Sequence, residues 1–85
     1  QRAELLKVLA NPKRLEVLHL LGRGKLTVSD MERATGMKQA NLSQHLMVLR
    51  HARVVIAEHE GRKVHYRLAY SGLSQVPPFL RALLE

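Results

Sequence analysis

The 85-residue chain has no cysteine and no tryptophan, only two tyrosines and one phenylalanine, and 7 acidic side chains against 14 lysines and arginines. The missing cysteine removes disulfides, thiolate metal sites and thiol catalysis together. With so few aromatics, no helix or strand displays the stacking platform that single-stranded nucleic acid requires. No apolar run approaches the ~20 residues of a bilayer-spanning helix, and the N-terminal stretch reads as a polar amphipathic helix rather than a signal peptide. There is no Gly-rich phosphate loop, nucleophile elbow or paired-carboxylate motif. Ser43 and His45, two positions apart on a helix, point in different directions, so no enzyme is expected.

What is present is charge and a core. The net charge is +7, and a hydrophobic content of 46% is too high for a disordered polybasic tail. Residues 1–85 read as one domain, and a domain this small buries only ~60% of its unfolded surface, which favours a core shared through dimerisation. A compact, basic surface points first to nucleic acid.

Leu5, Leu6, Val8 and Leu9, with Arg2, Glu4 and Lys7 between them, form a helical stripe that stops at Asn11-Pro12. Asn as N-cap and Pro at the first helical position open a second helix. Its apolar set, Leu15, Val17, Leu18, Leu20 and Leu21, runs nearly all round, which makes it central to the core, and Gly22 is a natural stop. Ser29-Asp30-Met31-Glu32 fits a capping box with Ser29 as the cap of a short third helix that Gly36 ends. Met37-Lys38 forms a turn, and a fourth helix runs from about Gln39 to Ala52 with Leu42, Leu46 and Leu49 on one face. Two helices joined by a tight Gly-containing turn make a helix-turn-helix. Val54–Ala57 and Val64–Leu68 around a turn at Glu60-Gly61-Arg62 then read as a β-hairpin. Ser71–Gln75 reads as a loose helical turn, and a last helix starts at Pro77-Pro78 with Phe79, Leu80, Leu83 and Leu84. The order predicts a mostly α chain with a β-hairpin wing, a winged helix-turn-helix.

The fourth helix opens with Gln39, Asn41, Ser43, Gln44 and His45, side chains able to bond base edges or phosphates at the end that enters the major groove in helix-turn-helix docking. Lys38, Arg50 and Arg53 suit phosphate contacts, which position a protein without reading sequence. Arg62 and Lys63 make a short basic wing tip. A polar helix face is usually only solvated, and Asn41 and Gln44 can serve as local caps. The helix-turn-helix spacing and the lack of any Asp or Glu between Arg33 and Glu58 favour the DNA reading.

These residues resemble a known family. Ala10-Asn11-Pro12-Lys13-Arg14-Leu15-Glu16-Val17-Leu18 is similar to the A-x-P-x-R-L-x-I-L opening of the ArsR–SmtB transcriptional repressors. Gln39–Leu46 with Val48-Leu49-Arg50 resembles their recognition helix, and Glu60–Leu68 their wing. The resemblance implies a cytoplasmic homodimer, built by the first and last helices through Leu5, Leu6, Leu9, Phe79, Leu80, Leu83 and Leu84. It implies binding to a palindromic operator in double-stranded DNA, repression, and release by an inducer. Two readings of other classes remain: a winged helix that binds an acidic protein partner, and an RNA-binding module.

Departures from the family bear on the switch. Where many members carry a Cys-Val-Cys metal motif, this chain has Thr27-Val28-Ser29, and neutral hydroxyls are poor ligands for soft metals. The Asp/His zinc site of other members has no counterpart in Pro77–Glu85, and His19 stands where a persulfide-sensing branch has a cysteine. Five histidines do not rescue a metal site. His19 is expected half-buried and hydrogen-bonded in an apolar helix, and His45 belongs to the recognition helix. His51 suits the helix C-terminus, and His59 and His65 share a face only across an odd-length turn. No cofactor and no metal are expected. Gln1 in place of Met suggests a trimmed chain, with room for effector residues beyond it.

Overall fold

The computed structural model describes the backbone of residues 2–69 and the side chains of residues 4–69. The elements are α1 (Arg2–Leu9), α2 (Pro12–Leu21), β1 (Leu26–Thr27), α3 (Val28–Thr35), α4 (Gln39–His51), β2 (Val55–Glu60) and β3 (Lys63–Leu68). This is the winged helix-turn-helix that the patterning predicts. The expected turn at Ser71–Gln75 and the last helix carrying Phe79, Leu80, Leu83 and Leu84 lie outside the described residues.

Asn11 caps α2 as expected. Its Oδ1 accepts from the Lys13 and Arg14 N–H groups at 2.9 and 3.1 Å, and Pro12 sits in the first turn, where a missing N–H costs nothing. Val17, Leu18 and Leu21 of α2 are buried together with Leu42, Leu46 and Leu49 of α4, Met31 of α3, and Val54 and Val55. Emptying any of these leucine sites costs about 2–5 kcal/mol. In the turn between α3 and α4, Gly36 adopts φ +75, a left-handed conformation that side chains resist, and the next residue, Met37, is buried. The Thr35 hydroxyl braces that turn, donating to the Met31 carbonyl at 2.7 Å and accepting from the Met37 N–H at 3.1 Å.

Three local expectations are corrected. First, α3 begins two residues earlier than read. Its N-cap is Thr27, whose Oγ1 accepts from the Asp30 N–H at 3.1 Å while the Asp30 carboxylate accepts from the Thr27 N–H at 3.0 Å. Ser29 caps nothing. The sequence contains two overlapping Ser/Thr-x-x-Asp/Glu frames, and Thr27 wins because it is also held in extended backbone by strand pairing. Second, Leu26–Thr27 form a strand invisible to pattern reading at two residues, paired antiparallel to β3 at Leu26–Tyr66 and Thr27–His65, so the sheet order is β1-β3-β2. Third, Glu60 belongs to β2, and the hairpin turn is only Gly61-Arg62. Gly61 has φ +63 and Arg62 stays at negative φ, as in a type II′ turn with glycine first. That even-length loop puts His59 and His65 on opposite faces of the hairpin.

At the end of α4, the Arg53 N–H bonds the Arg50 carbonyl and the Val54 N–H the Leu49 carbonyl, both at 2.9 Å, which is a Schellman ending. Arg53 occupies its left-handed position at φ +62, where glycine is the usual residue.

Two stability changes follow. Thr27→Ala loses about 1 kcal/mol in denaturant unfolding whereas Ser29→Ala stays within ~0.5 kcal/mol; equal losses would refute the assignment of the cap. Arg53→Gly raises stability by about 0.5–1 kcal/mol, because it relieves a left-handed side-chain-bearing residue.

Candidate nucleic-acid interface

The buried stripe of Leu42, Leu46 and Leu49 turns one face of α4 inward, and 3.6-residue periodicity turns the other face to solvent. Gln39, Asn41, Ser43, Gln44 and Arg50 are all exposed there, as is Lys38 at the N-cap. Lys38 makes no side-chain cap bond, so the first-turn N–H groups of α4 have no side-chain acceptor at the cap and form an electropositive end suited to anions. Among the described residues, the side chains of Gln39, Asn41, Ser43 and Gln44 make no hydrogen bond, which leaves Asn41 and Gln44 free of the capping role considered for them.

His45 departs from its expected place on the open face. It is half-buried, and its Nδ1 accepts from Arg14 Nε of α2 at 3.4 Å. Burial first, then the positive charges of Arg14 and Lys13, hold its pKa below the ordinary histidine value. Sequence reading missed both Arg14 and Met47. Arg14 is 31 residues from His45, a separation no local pattern bridges. Met47 lies on the solvent face of α4 with 57% of its surface exposed, an apolar side chain among polar ones. His19, expected half-buried, is exposed.

The wing tip, Gly61, Arg62 and Lys63, is exposed. Its root is braced by Glu60, which accepts from Lys25 Nζ at 2.9 and 3.1 Å. The same carboxylate lies 2.8 Å from His65 Nδ1, close but poorly aligned, so that buried nitrogen has no proper hydrogen-bond partner. The Lys25 hydrogen bond, then its charge, hold the Glu60 pKa below the usual carboxylate range. Arg67 and Glu58 pair at 3.0 Å on the same outer face of the hairpin. Both pairs are surface pairs that orient more than they stabilise. Arg62 and Lys63 are left without carboxylate partners among the described residues.

Of the residues expected at a dimer interface, Leu5 and Leu9 are buried in the chain's own core, while Leu6 is 41% exposed. The expectation narrows to Leu6 on α1. Among the described residues, no group of three or more ligating side chains converges as a metal site would require, and no helix is long and apolar enough to cross a membrane.

A helix-turn-helix with a basic wing and an acid-free recognition helix is the architecture of a transcription regulator. Residues 11–57 match the family described as bacterial regulatory protein, arsR family, and the chain belongs to that family. It is 38% identical over 76 residues, 89% of its length, to the HTH-type transcriptional regulator NmtR of Mycobacterium tuberculosis. It is 42% identical over 67 residues, 79% of its length, to the biofilm growth-associated repressor of Agrobacterium fabrum. The chain covers 63% and 57% of those two relatives, about three fifths of their length. Among solved structures it resembles the homodimeric winged helix-turn-helix DNA-binding domain of Mb0332 from Mycobacterium bovis, with a TM-score of 0.83 and 32% identity over 95% of this chain and 75% of that one.

The depressed His45 pKa gives a pH dependence of known sign. Between the folded value and about 6.5 the unfolded chain binds more protons than the folded one, so stability rises with pH across that window. His45→Asn keeps an acceptor atom near the Nδ1 position and does not titrate. Urea unfolding between about pH 7 and 5 should therefore show a steeper acid loss for the wild-type chain than for His45→Asn. Parallel profiles would remove the assignment.

Proposed function

We propose that this chain is a sequence-specific, DNA-binding transcriptional repressor that acts in the cytoplasm as a homodimer on a palindromic operator and is released by an inducer. The observation that carries the reading is α4 itself. It is anchored by buried leucines and carries exposed Lys38, Gln39, Asn41, Ser43, Gln44 and Arg50 with no acidic residue among them. Gln39, Asn41, Ser43 and Gln44, with His45 behind them, read base edges in the major groove; Lys38 and Arg50 hold phosphates. Arg62 and Lys63 reach the backbone or an adjacent minor groove. The homodimeric state described for Mb0332 and the repressor name of the Agrobacterium relative support the same reading. Leu6 on α1 contributes to the dimer face, together with Phe79, Leu80, Leu83 and Leu84.

A duplex selected by the protein from a random-sequence pool is the first reagent. Its half-sites should be related by a two-fold axis, and affinity should fall steeply with salt as bound phosphates release their counterions. Arg62→Gln should flatten the log–log salt slope by about 1 for each phosphate it ceases to neutralise. Ser43→Ala or Gln44→Ala should instead cost about 1–3 kcal/mol on the selected duplex and little on competitor DNA. A flat salt response, equal affinity for single strands or RNA, or a monomer in sedimentation at micromolar concentration would overturn the proposal.

A further inference from the structure

Arg14 touches three helices. It stands in the first turn of α2, its Nη1 donates to the Val8 carbonyl in the last turn of α1 at 3.1 Å, and its Nε donates to Nδ1 of His45 on α4 at 3.4 Å. The Val8 bond has a local reason, since the last carbonyls of a helix lack intrahelical partners and carry partial negative charge. It also fixes the plane of the guanidinium and hence the direction of Nε–H. A guanidinium has only donors and does not deprotonate. Its bond to His45 therefore requires a lone pair on Nδ1, and a neutral imidazole with a lone pair on Nδ1 carries its proton on Nε2. A doubly protonated ring would set N–H against N–H beside a cation.

We propose that Arg14 is a positioning residue for DNA recognition: its bond to Nδ1 holds His45 in the Nε2–H tautomer, so that α4 offers DNA a fixed N–H donor. The inference rests on the repressor reading above and deepens it. A ring locked this way donates and does not accept at Nε2. The base edges it can read in the major groove are the acceptors, N7 of a purine, O6 of guanine or O4 of thymine, and not the amino groups of adenine or cytosine. The charged groups facing His45 are both on α2, Arg14 and Lys13. They favour the neutral ring, as burial does. Without Arg14 the half-buried ring samples both tautomers, and a fraction of it presents an acceptor to an acceptor.

The test uses ¹⁵N-labelled full chain and long-range proton–nitrogen spectra of the imidazole rings, with His45 assigned by the disappearance of its signals in His45→Ala. At neutral pH the wild-type spectrum should show His45 as the Nε2–H tautomer. Arg14→Met, which cannot donate, should show a mixture of the two tautomers, and Arg14→Lys, a donor without acceptor atoms, should restore the single Nε2–H state. On the selected duplex, Arg14→Met should weaken binding about tenfold, the scale of one hydrogen bond. Arg14→Lys should recover most of that affinity, and Arg14→Met should cost nothing further in a His45→Ala background. A wild-type His45 protonated on Nδ1 overturns the proposal without any variant, so a poorly folding Arg14→Met does not shelter it. An equal loss in the His45→Ala background also overturns it, because Arg14 would then act independently of the ring. If the tautomer is as stated but none of these changes alters DNA binding while Ser43→Ala does, His45 does not touch DNA and the proposal falls with the repressor reading intact. If Ser43→Ala is silent as well, the repressor reading itself has failed.

Discussion

The burial of Leu42, Leu46 and Leu49 against Val17, Leu18 and Leu21 is the constraint on which the rest of this molecule depends. A helix surface is divided by rotation about its axis, so fixing which residues face the core also fixes which face water. Three leucines at spacings of four and three residues determine the azimuth of α4. The exposed display of Gln39, Asn41, Ser43 and Gln44 is the geometric complement of that stripe. The interaction is apolar and non-directional, yet its consequence is the direction of the polar side chains of α4 proposed to meet DNA.

Around this axis the secondary contacts act as braces. Thr27 serves two elements at once, pairing with His65 in the sheet and capping α3, so the helix-turn-helix and the wing share a residue. Asp30 completes the cap, and its carboxyl is held below the usual range first by the Thr27 N–H, then by the Thr27 side chain, with Arg33 and His65 adding attraction. Lys25 and Glu60 tie the chain before β1 to the root of the wing. An exposed ion pair of this kind contributes little to stability alone. Together these braces limit how far the hairpin can tilt relative to α3, which sets where Arg62 and Lys63 stand.

The distribution of charge follows a related division. The chain carries a net +7, but the carboxylates on the wing are engaged by cations of their own face, which leaves Lys38, Arg50, Arg62 and Lys63 without carboxylate partners among the described residues. His45 runs against the general trend: burial first, then the positive charges of Arg14 and Lys13, hold its pKa below the ordinary histidine value. In the proposed tautomer the neutral ring presents a single N–H donor, at Nε2.

Much of this architecture was legible in the linear pattern. Asn11-Pro12, Gly36 and Gly61 mark breaks that only a few backbone conformations satisfy, and the leucine spacings identify two core helices. What failed did so because competing local signals were equal until the chain folded. Thr27 and Ser29 both offer a cap, and strand pairing to the distant His65 chose between them. A two-residue strand carries no periodicity at all, and Leu5, Leu6 and Leu9 look equivalent on a helix whose partner is unseen. Likewise, His45 reads as one more polar residue on a polar face. By itself the sequence determined where helices and turns lie, which residues are apolar on each, and the acid-free stretch along α4, because those properties come from bonds and contacts within a few residues. Only the tertiary structure decided which cap is used, that His45 is half-buried, and that Arg14 lies behind it, because those depend on distances between segments that sequence separation does not encode.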